Sequence, residues 1–379
     1  MTALLVVAGE ASGDRAGAAV VGRLPGVDAF GLGGPALASR GVTLVGDLRA
    51  STALGVGEAG MRAWAVLRAW RAVLHAAKTR RPRAALLVNY TEFNARLAPH
   101  LRDAGVRVLW YGAPQVWAWR ANRTTTLRRC VDRMAVLLPF EVDLWREAGV
   151  DAHYVGHPAL ESAPLDRDTA RRALGMTPYA ATVAVLPGSR PHEVRRLLCP
   201  MLDAYEQVRS DRASVDARVL VAPSLDEGTR RWLDEVCATR RVGTFEVDPH
   251  VGAMKVLRGF DTALCASGTA SLEAALARAV PVVAYRVGVT TELAARMMVT
   301  IPNVALPNVL LGRRAFTELL QREVRAPRIA QALADALDRR PALLAACDEV
   351  EASLGDRRTP SAEVARMLAP WLGVRAHAA

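Results

Sequence analysis

Lysine is nearly missing from this chain of 379 residues: Lys78 and Lys255 are the only two among its 49 lysines and arginines. The formal net charge of +11 would by itself suggest nucleic acid. An excess carried almost wholly by arginine, in an alanine-rich chain, instead reads as the codon bias of a GC-rich genome, and no nucleic-acid partner is expected. The residual positive field favours smaller anionic partners: nucleotides, phosphorylated sugars or an acidic lipid surface. Cysteine is scarce as well. Cys130, Cys199, Cys237, Cys265 and Cys347 are odd in number and far apart, so they offer neither a disulfide framework nor metal-ligand pairs, and a reducing compartment is expected. No apolar run reaches the roughly 18 residues of a spanning helix, which leaves only peripheral contact with a membrane. The apolar opening, Leu4 to Ala8, is too short for a signal core, follows no basic segment and runs into a glycine turn, so it reads as a strand. Repeats of solenoid length and low-complexity tracts are missing too, apart from the alanine and arginine bias.

What the chain does have is apolar substance, 51% hydrophobic against 23% charged residues, at a length that suits two cores better than one. Short apolar runs alternate with helical patterns, the signature of an α/β fold with mostly parallel sheets. Strands are predicted at Leu4 to Ala8, Ala84 to Val88, Val106 to Tyr111 and Arg133 to Leu137, and again at Thr182 to Leu186, Val215 to Val221, Thr262 to Ala266 and Val280 to Tyr285. Pro158, Pro164 and Pro178 punctuate the stretch between the two sets. The expected division is therefore an N-terminal Rossmann-like domain over 1–160, a C-terminal one over 175–345, and a helical tail over 346–379 that packs back on the first domain or on a partner subunit.

Four turns stand out. Pro187-Gly188-Ser189-Arg190 follows a strand, and open α/β sheets bind ligands at the carboxyl ends of their strands. Glycine lets a phosphate approach the backbone, Ser189 offers a hydroxyl and Arg190 a planar fork for pyrophosphate oxygens; an ordinary exposed turn would look the same. Sharper is Ser267-Gly268-Thr269-Ala270-Ser271-Leu272-Glu273, a glycine turn opening a helix, whose unpaired amides and dipole attract phosphate by roughly 0.3 to 2 kcal/mol. Ser267 and Thr269 would add hydroxyl bonds and Glu273 would accept from a ribose; the plainer reading makes them a helix cap and a solvated side chain. In the first half, Gly9-Glu10-Ala11-Ser12-Gly13-Asp14 sets carboxylates and a hydroxyl at a strand's end, which suits a sugar acceptor. Ala113 to Arg120 concentrates Trp117 and Trp119, whose faces could stack on sugars or apolar chains or simply fill a core. The glycines of Gly31-Leu32-Gly33-Gly34-Pro35 lack full dinucleotide spacing and read as a loop.

Together these segments, with Leu138-Pro139-Phe140-Glu141, Gly156-His157-Pro158 and Leu306-Pro307-Asn308 before Gly312-Arg313, closely resemble the lipid-A-disaccharide synthase family across nearly the whole chain. The resemblance implies a glycosyltransferase of the GT-B type, with two Rossmann-like domains whose sheets face a central cleft. It implies transfer of 2,3-diacylglucosamine from UDP to the 6-hydroxyl of 2,3-diacylglucosamine 1-phosphate, with inversion and without metal or cofactor. By position, Ser189, Arg190, Ser267, Gly268, Thr269, Glu273, Asn308 and Gln321 would hold UDP; Glu10, Asn89 and Glu92 would serve catalysis; and Ser12, Asp14, Trp64, Trp70, Trp117 and Trp119 would face the acceptor and its lipid. The implied setting is the cytoplasm, peripheral on the inner face of the inner membrane. A homodimer that exchanges the terminal helix is one arrangement the resemblance allows.

Two departures bear on this. Where the family reads Asp-Ala-Pro-Asp-Phe-Asn, this chain reads Asn89-Tyr90-Thr91-Glu92-Phe93-Asn94, so an amide replaces the expected carboxylate base, and Glu92 or Glu10 is left as a substitute. A positioned base is worth about 10² to 10⁴ in rate. The competing expectation is a catalytically weak relative that binds UDP-sugar or acylated sugar without efficient turnover; a nucleotide-sugar epimerase on the same scaffold is a third. The second departure is the small, glycine-rich run Leu54 to Gly60 in place of a bulky apolar patch. The helix after it carries Trp64, Leu67, Trp70 and Leu74 among Arg62, Arg68 and Arg71, a pattern that fits either an interfacial helix or a core-facing one.

Overall fold

A computed structural model describes residues 2–47, 59–117, 123–212, 214–286, 302–356 and 359–377. It divides into two compact units, Met1–Glu161 with Asp356–Ala379, and Ser162–Gly355. In the first, β1 (Ala3–Ala8), β2 (Asp28–Gly33), β3 (Thr43–Asp47), β4 (Ala84–Val88), β5 (Arg107–Tyr111), β6 (Arg133–Val136) and β7 (Ala152–Tyr154) form one sheet in the order β3-β2-β1-β4-β5-β6-β7. Every neighbouring pair is parallel. In the second, β8 (Ala181–Leu186), β9 (Val215–Val221), β10 (Gly243–Glu246), β11 (Thr262–Ala266), β12 (Val280–Tyr285) and β13 (Glu318–Leu320) run β10-β9-β8-β11-β12-β13, again all parallel. Both are doubly wound sheets. The strand order reverses between β1 and β4 and between β8 and β11, and ligands of such sheets bind at that reversal.

Parallel strands are covered by helices on both faces, which is why the central ones read as unbroken apolar runs. The two-residue alternation of a strand sorts these side chains. Leu5, Val7, Leu87, Val108 and Trp110 enter one buried cluster, Leu4, Val6, Leu86, Leu109 and Tyr111 the other. The Pro360–Leu372 helix completes the second cluster with Val364, Ala365 and Leu368, and Arg133 donates to the Met367 carbonyl at 2.9 Å. The terminal segment thus returns to the first unit from Asp356, whereas residues 346–353 belong to the helix Arg340–Ser353 of the second.

The glycine turn expected at 31–35 is mostly strand. Gly31 and Gly33 lie inside β2, where a Cβ on Gly31 would stand 1.8 Å from the Val6 carbonyl oxygen; glycine here is a packing requirement of β2 against β1. The second unit is fastened at its amino edge by Asp261. Its Oδ1 takes Arg167 at 2.6 Å and Arg340 at 3.1 Å, and its Oδ2 takes Arg171, the Thr182 amide and the Thr182 hydroxyl, each at 3.0 Å. All five cysteines are free thiols, and no helix among the described residues is long and apolar enough to cross a membrane.

Candidate active site

At the reversal point of the second sheet the registers Cys265↔Leu186, Ala266↔Ala284 and Tyr285↔Leu320 bring four strand ends side by side. Neighbouring strands lie about 5 Å apart, so the turns at Gly188 and Gly268, the Tyr285 side chain and Gln321 share one edge. Gly268 adopts φ 136° and ψ −156°, a region closed to other residues, and a Cβ there would meet nothing within 4 Å. The glycine is therefore needed for the bend itself. It turns β11 into the Thr269–Leu276 helix, whose opening residues Ser267 to Ala270 are half-buried. Ser267 donates to the Val304 carbonyl at 3.0 Å and Ser271 to the Gly268 carbonyl at 2.8 Å, fixing the turn from both sides; Glu273 is half-buried one turn further on.

The neighbouring turn is less open than its sequence suggests. Glu193 closes a capping box: its Oε2 accepts from the Ser189 and Arg190 amides at 3.1 and 3.3 Å, and its Oε1 takes the Arg190 guanidinium at 3.3 Å. Those two amides are occupied by a carboxylate. The contributions left at this turn are the exposed Ser189 and Arg190 side chains. Tyr285 stands in the same field: burial and the Glu193 charge raise its phenol, and Arg190 lowers it. Glu193 and Tyr285 were not anticipated, although a glutamate three residues after the cap is a readable capping signal.

Asn308 is a correction. Its amide donates to the Phe316 carbonyl at 2.9 Å and to Glu318 Oε1 at 2.8 Å, and its Oδ1 accepts from the Ala315 and Phe316 amides at 2.9 Å each. A carboxamide has two donors and two acceptor sites, so Asn308, fully buried, has nothing left for UDP. With Glu318, which accepts the Val304 and Ala305 amides at 3.0 Å, it shapes the segment against which Ser267 leans. Gln321, half-buried with φ 51°, remains at the strand edge.

In the first unit the registers Ala8↔Val88 and Val88↔Tyr111 likewise align Gly9-Glu10, Asn89-Tyr90 and Gly112. Asn89 and Tyr90 are both left-handed, φ 47° and 43°, a conformation that costs about 1–3 kcal/mol each outside glycine. Buried Asn94 holds it, donating from Nδ2 to the Asn89 carbonyl at 2.9 Å and from its amide to the Tyr90 carbonyl at 3.0 Å. The bend folds the Tyr90 ring over Gly9, where a Cβ would fall 2.3 Å from it, and sets Asn89 Oδ1 2.0 Å from where a Cβ on Gly112 would be. Asn89 is thus the centre of this edge, half-buried, flanked by the exposed carboxylates of Glu10 and Glu92 and by half-buried Ser12.

Two acceptor-side expectations change. Asp14 is buried, and its carboxylate accepts the Gly34, Ala36 and Leu37 amides at 2.7, 2.9 and 3.2 Å; it caps the short Pro35–Ser39 helix and does not face a ligand. Trp70 packs edge-on against Phe93 and His100, 5.4 Å from each, within the core. Trp64 and Leu67, by contrast, are exposed at 61% and 44%, with the Arg68 guanidinium 5.5 Å from the Trp64 ring. Trp117 donates to Glu141 Oε1 at 2.9 Å and meets Phe140 edge-on at 5.4 Å. Trp119 and residues 54–58 lie outside the described residues. Burial pushes the Glu141 carboxyl up to about 7, against the Trp117 and backbone hydrogen bonds that lower it. Since the folded value lies above the unfolded one, its stabilising contribution is complete in acid and declines as pH rises through 7. Trp117 emission, taken as the difference from Trp117→Phe, is expected to titrate near pH 7 and to lose that transition in Glu141→Gln.

Two doubly wound parallel sheets with glycine turns at each reversal point have solved counterparts. A crystal structure described as a UDP-N-acetylglucosamine 2-epimerase from Listeria monocytogenes superposes with TM-score 0.69 at 10% identity, over 99% of this chain and 98% of that one. MurG of Acinetobacter baumannii does so with TM-score 0.56 at 15% identity, over 98% and 100%. At such identities they show the fold alone. The sequence match is more specific: the family model for lipid-A-disaccharide synthetase covers residues 4–366. The chain belongs to the lipid-A-disaccharide synthase family. Relatives of that name include one from Myxococcus xanthus (strain DK1622), 42% identical over 86% of each chain, and one from Anaeromyxobacter dehalogenans (strain 2CP-C), 41% identical over 94% of each. The epimerase expectation is left with only a distant likeness of fold.

Proposed function

We propose that this family member is an inverting hexosyltransferase that joins UDP-2,3-diacylglucosamine to 2,3-diacylglucosamine 1-phosphate and releases UDP. The observation carrying the donor half is the glycine-only bend at Gly268, which leaves a half-buried helix start at the sheet's reversal point beside the exposed Arg190. The diphosphate lies against the amides after Gly268, Thr269 adds its hydroxyl, Glu273 accepts from the ribose, and Arg190 reaches a phosphate oxygen from the next turn. As the bond from the sugar's anomeric carbon to the phosphate oxygen breaks, the electron pair stays on UDP, where this fixed positive field stabilises it.

The acceptor hydroxyl forms the new bond and must lose a proton. Asn89 cannot take it at neutral pH; in this reading it accepts a hydrogen bond from the sugar and orients it, while Glu92 receives the proton. Replacing Glu92 with Gln is expected to lower UDP release by about 10² to 10⁴, with Glu10→Gln far less affected. Unchanged release in Glu92→Gln removes Glu92 from this role. Activity confined to Asn89→Asp would instead favour the weak-relative reading.

The exposed Trp64 and Leu67, on a helix that also presents Arg68 and Arg71, support peripheral attachment to the anionic cytoplasmic face of the inner membrane. Flotation with anionic vesicles at low salt is expected to carry the native protein and to lose most of it in the Trp64→Ala, Leu67→Ala double variant. Equal flotation of both would remove this helix as the anchor.

A further inference from the structure

The carboxyl edge of the first sheet does not use a second concavity on the same unit. At the opposite, amino edge, where the chain turns into β4 and into β5, a cavity of about 560 Å³ is lined by Lys78, Arg81, Arg83, Arg107 and Trp371, with the backbone of Ala104 and Gly105 between them. That volume falls within the roughly 300–1,000 Å³ of small-ligand sites. Five-residue strands of about 3.3 Å rise separate it from the Asn89 edge by about 16 Å, so it is a different place from the candidate active site.

Its charge is one-sided. No carboxylate lines it, and among the described residues none of the four cations forms an ion pair, although nearby arginines do: Arg80 with Asp28, Arg102 with Asp132, and Arg133 with Asp151. Among the described residues other arginines, such as Arg40, Arg71 and Arg96, also form no ion pair; what sets these four apart is that they line one cavity whose lining holds no carboxylate. The carbonyl ends of the Ala59–Arg80 and Thr91–Asp103 helices also converge here. Each amounts to about half a negative charge, so together they offset roughly one of four positive charges. The Trp371 ring, half-buried and held by Arg107 and Arg133 at 5.5 and 5.0 Å, walls one side with a flat surface.

We infer that this pocket is a second anion site, one that binds a phosphomonoester or pyrophosphate group independently of the donor site. The guanidiniums of Arg83 and Arg107 supply planar donors matched to phosphate oxygens, and Lys78 and Arg81 add charge from the facing turn. Two sources share this chemistry, a soluble phosphate ester and a lipid phosphate headgroup. Lys78 lies on the same exposed face as Arg68, Arg71 and His75, so the pocket continues a basic stripe.

The test uses the full chain with saturating UDP to occupy the donor site. Calorimetric titration with inorganic pyrophosphate is expected to show one further binding event. Removing a charge-assisted contact weakens binding by roughly tenfold, so Arg83→Ala with Arg107→Ala should weaken it by about a hundredfold, and Lys78→Ala with Arg81→Asn comparably. Arg190→Ala should leave it unchanged. In a parallel arm, vesicles of phosphatidylcholine with phosphatidic acid are compared with phosphatidylcholine alone. Phosphatidic-acid-dependent binding that both pairs abolish assigns the site to a lipid headgroup; pyrophosphate binding that both pairs abolish, with vesicle binding intact, assigns it to a soluble ester. If both pairs leave pyrophosphate and vesicle binding as in the native protein, with melting temperatures unchanged, the site does not exist.

Discussion

Replacing Gly268 with alanine is expected to weaken UDP binding by about 10- to 100-fold while leaving the fold intact. At φ 136° and ψ −156° a side chain strains the backbone by about 1–3 kcal/mol, and tenfold in affinity corresponds to 1.4 kcal/mol. Nothing stands within 4 Å of the added methyl, so steric crowding does not confuse the result. The bend relaxes, and relaxing it turns the amides of Gly268 and Thr269 away from the ligand. Isothermal titration with UDP reads this directly; an unchanged affinity would mean that the diphosphate does not rest on this turn.

Asp261→Ala should instead act on stability, lowering it by about 3–5 kcal/mol in urea unfolding, because it strands the buried Arg171 beside Arg167 and Arg340. Burial pushes the Asp261 carboxyl up, but the guanidinium of Arg167 and its other partners outweigh this and hold it below the ordinary range. A depressed carboxylate stabilises the fold above its unfolded value, near 3.9, and that contribution is lost as pH falls through the folded value. The native protein should therefore lose stability on acidification toward pH 3, and Asp261→Asn should lose much less over the same interval. An identical acid dependence in both would show that the network contributes nothing.

Strands were legible where both faces are buried, because a run such as Ala84 to Val88 has no other use for five consecutive apolar residues. β2 was hidden by Gly31 and Gly33, since close approach to β1 requires residues that otherwise signal a turn, and β7, β10 and β13, at three or four residues, are too short to show periodicity. At the candidate site the turns were readable but the engagement of their polar atoms was not. Asp14 and Asn308 sit in motifs as ligand residues would, yet neighbouring backbone groups and, for Asn308, the Glu318 carboxylate consume their hydrogen bonds. The indoles divide for the same reason: spacing puts Trp64 and Trp70 on one helix, and only the packing of Phe93 and His100 turns Trp70 inward while Trp64 stays out.

The measurement closest to the centre of this account is amide chemical-shift mapping of the ¹⁵N-labelled full chain during UDP titration. Ser267, Gly268 and Thr269 should shift together along one saturable curve, with the Arg190 side chain following, and uridine alone should move them little. Shifts confined to the first unit, or saturable UDP binding that leaves these three amides where they were, would contradict it.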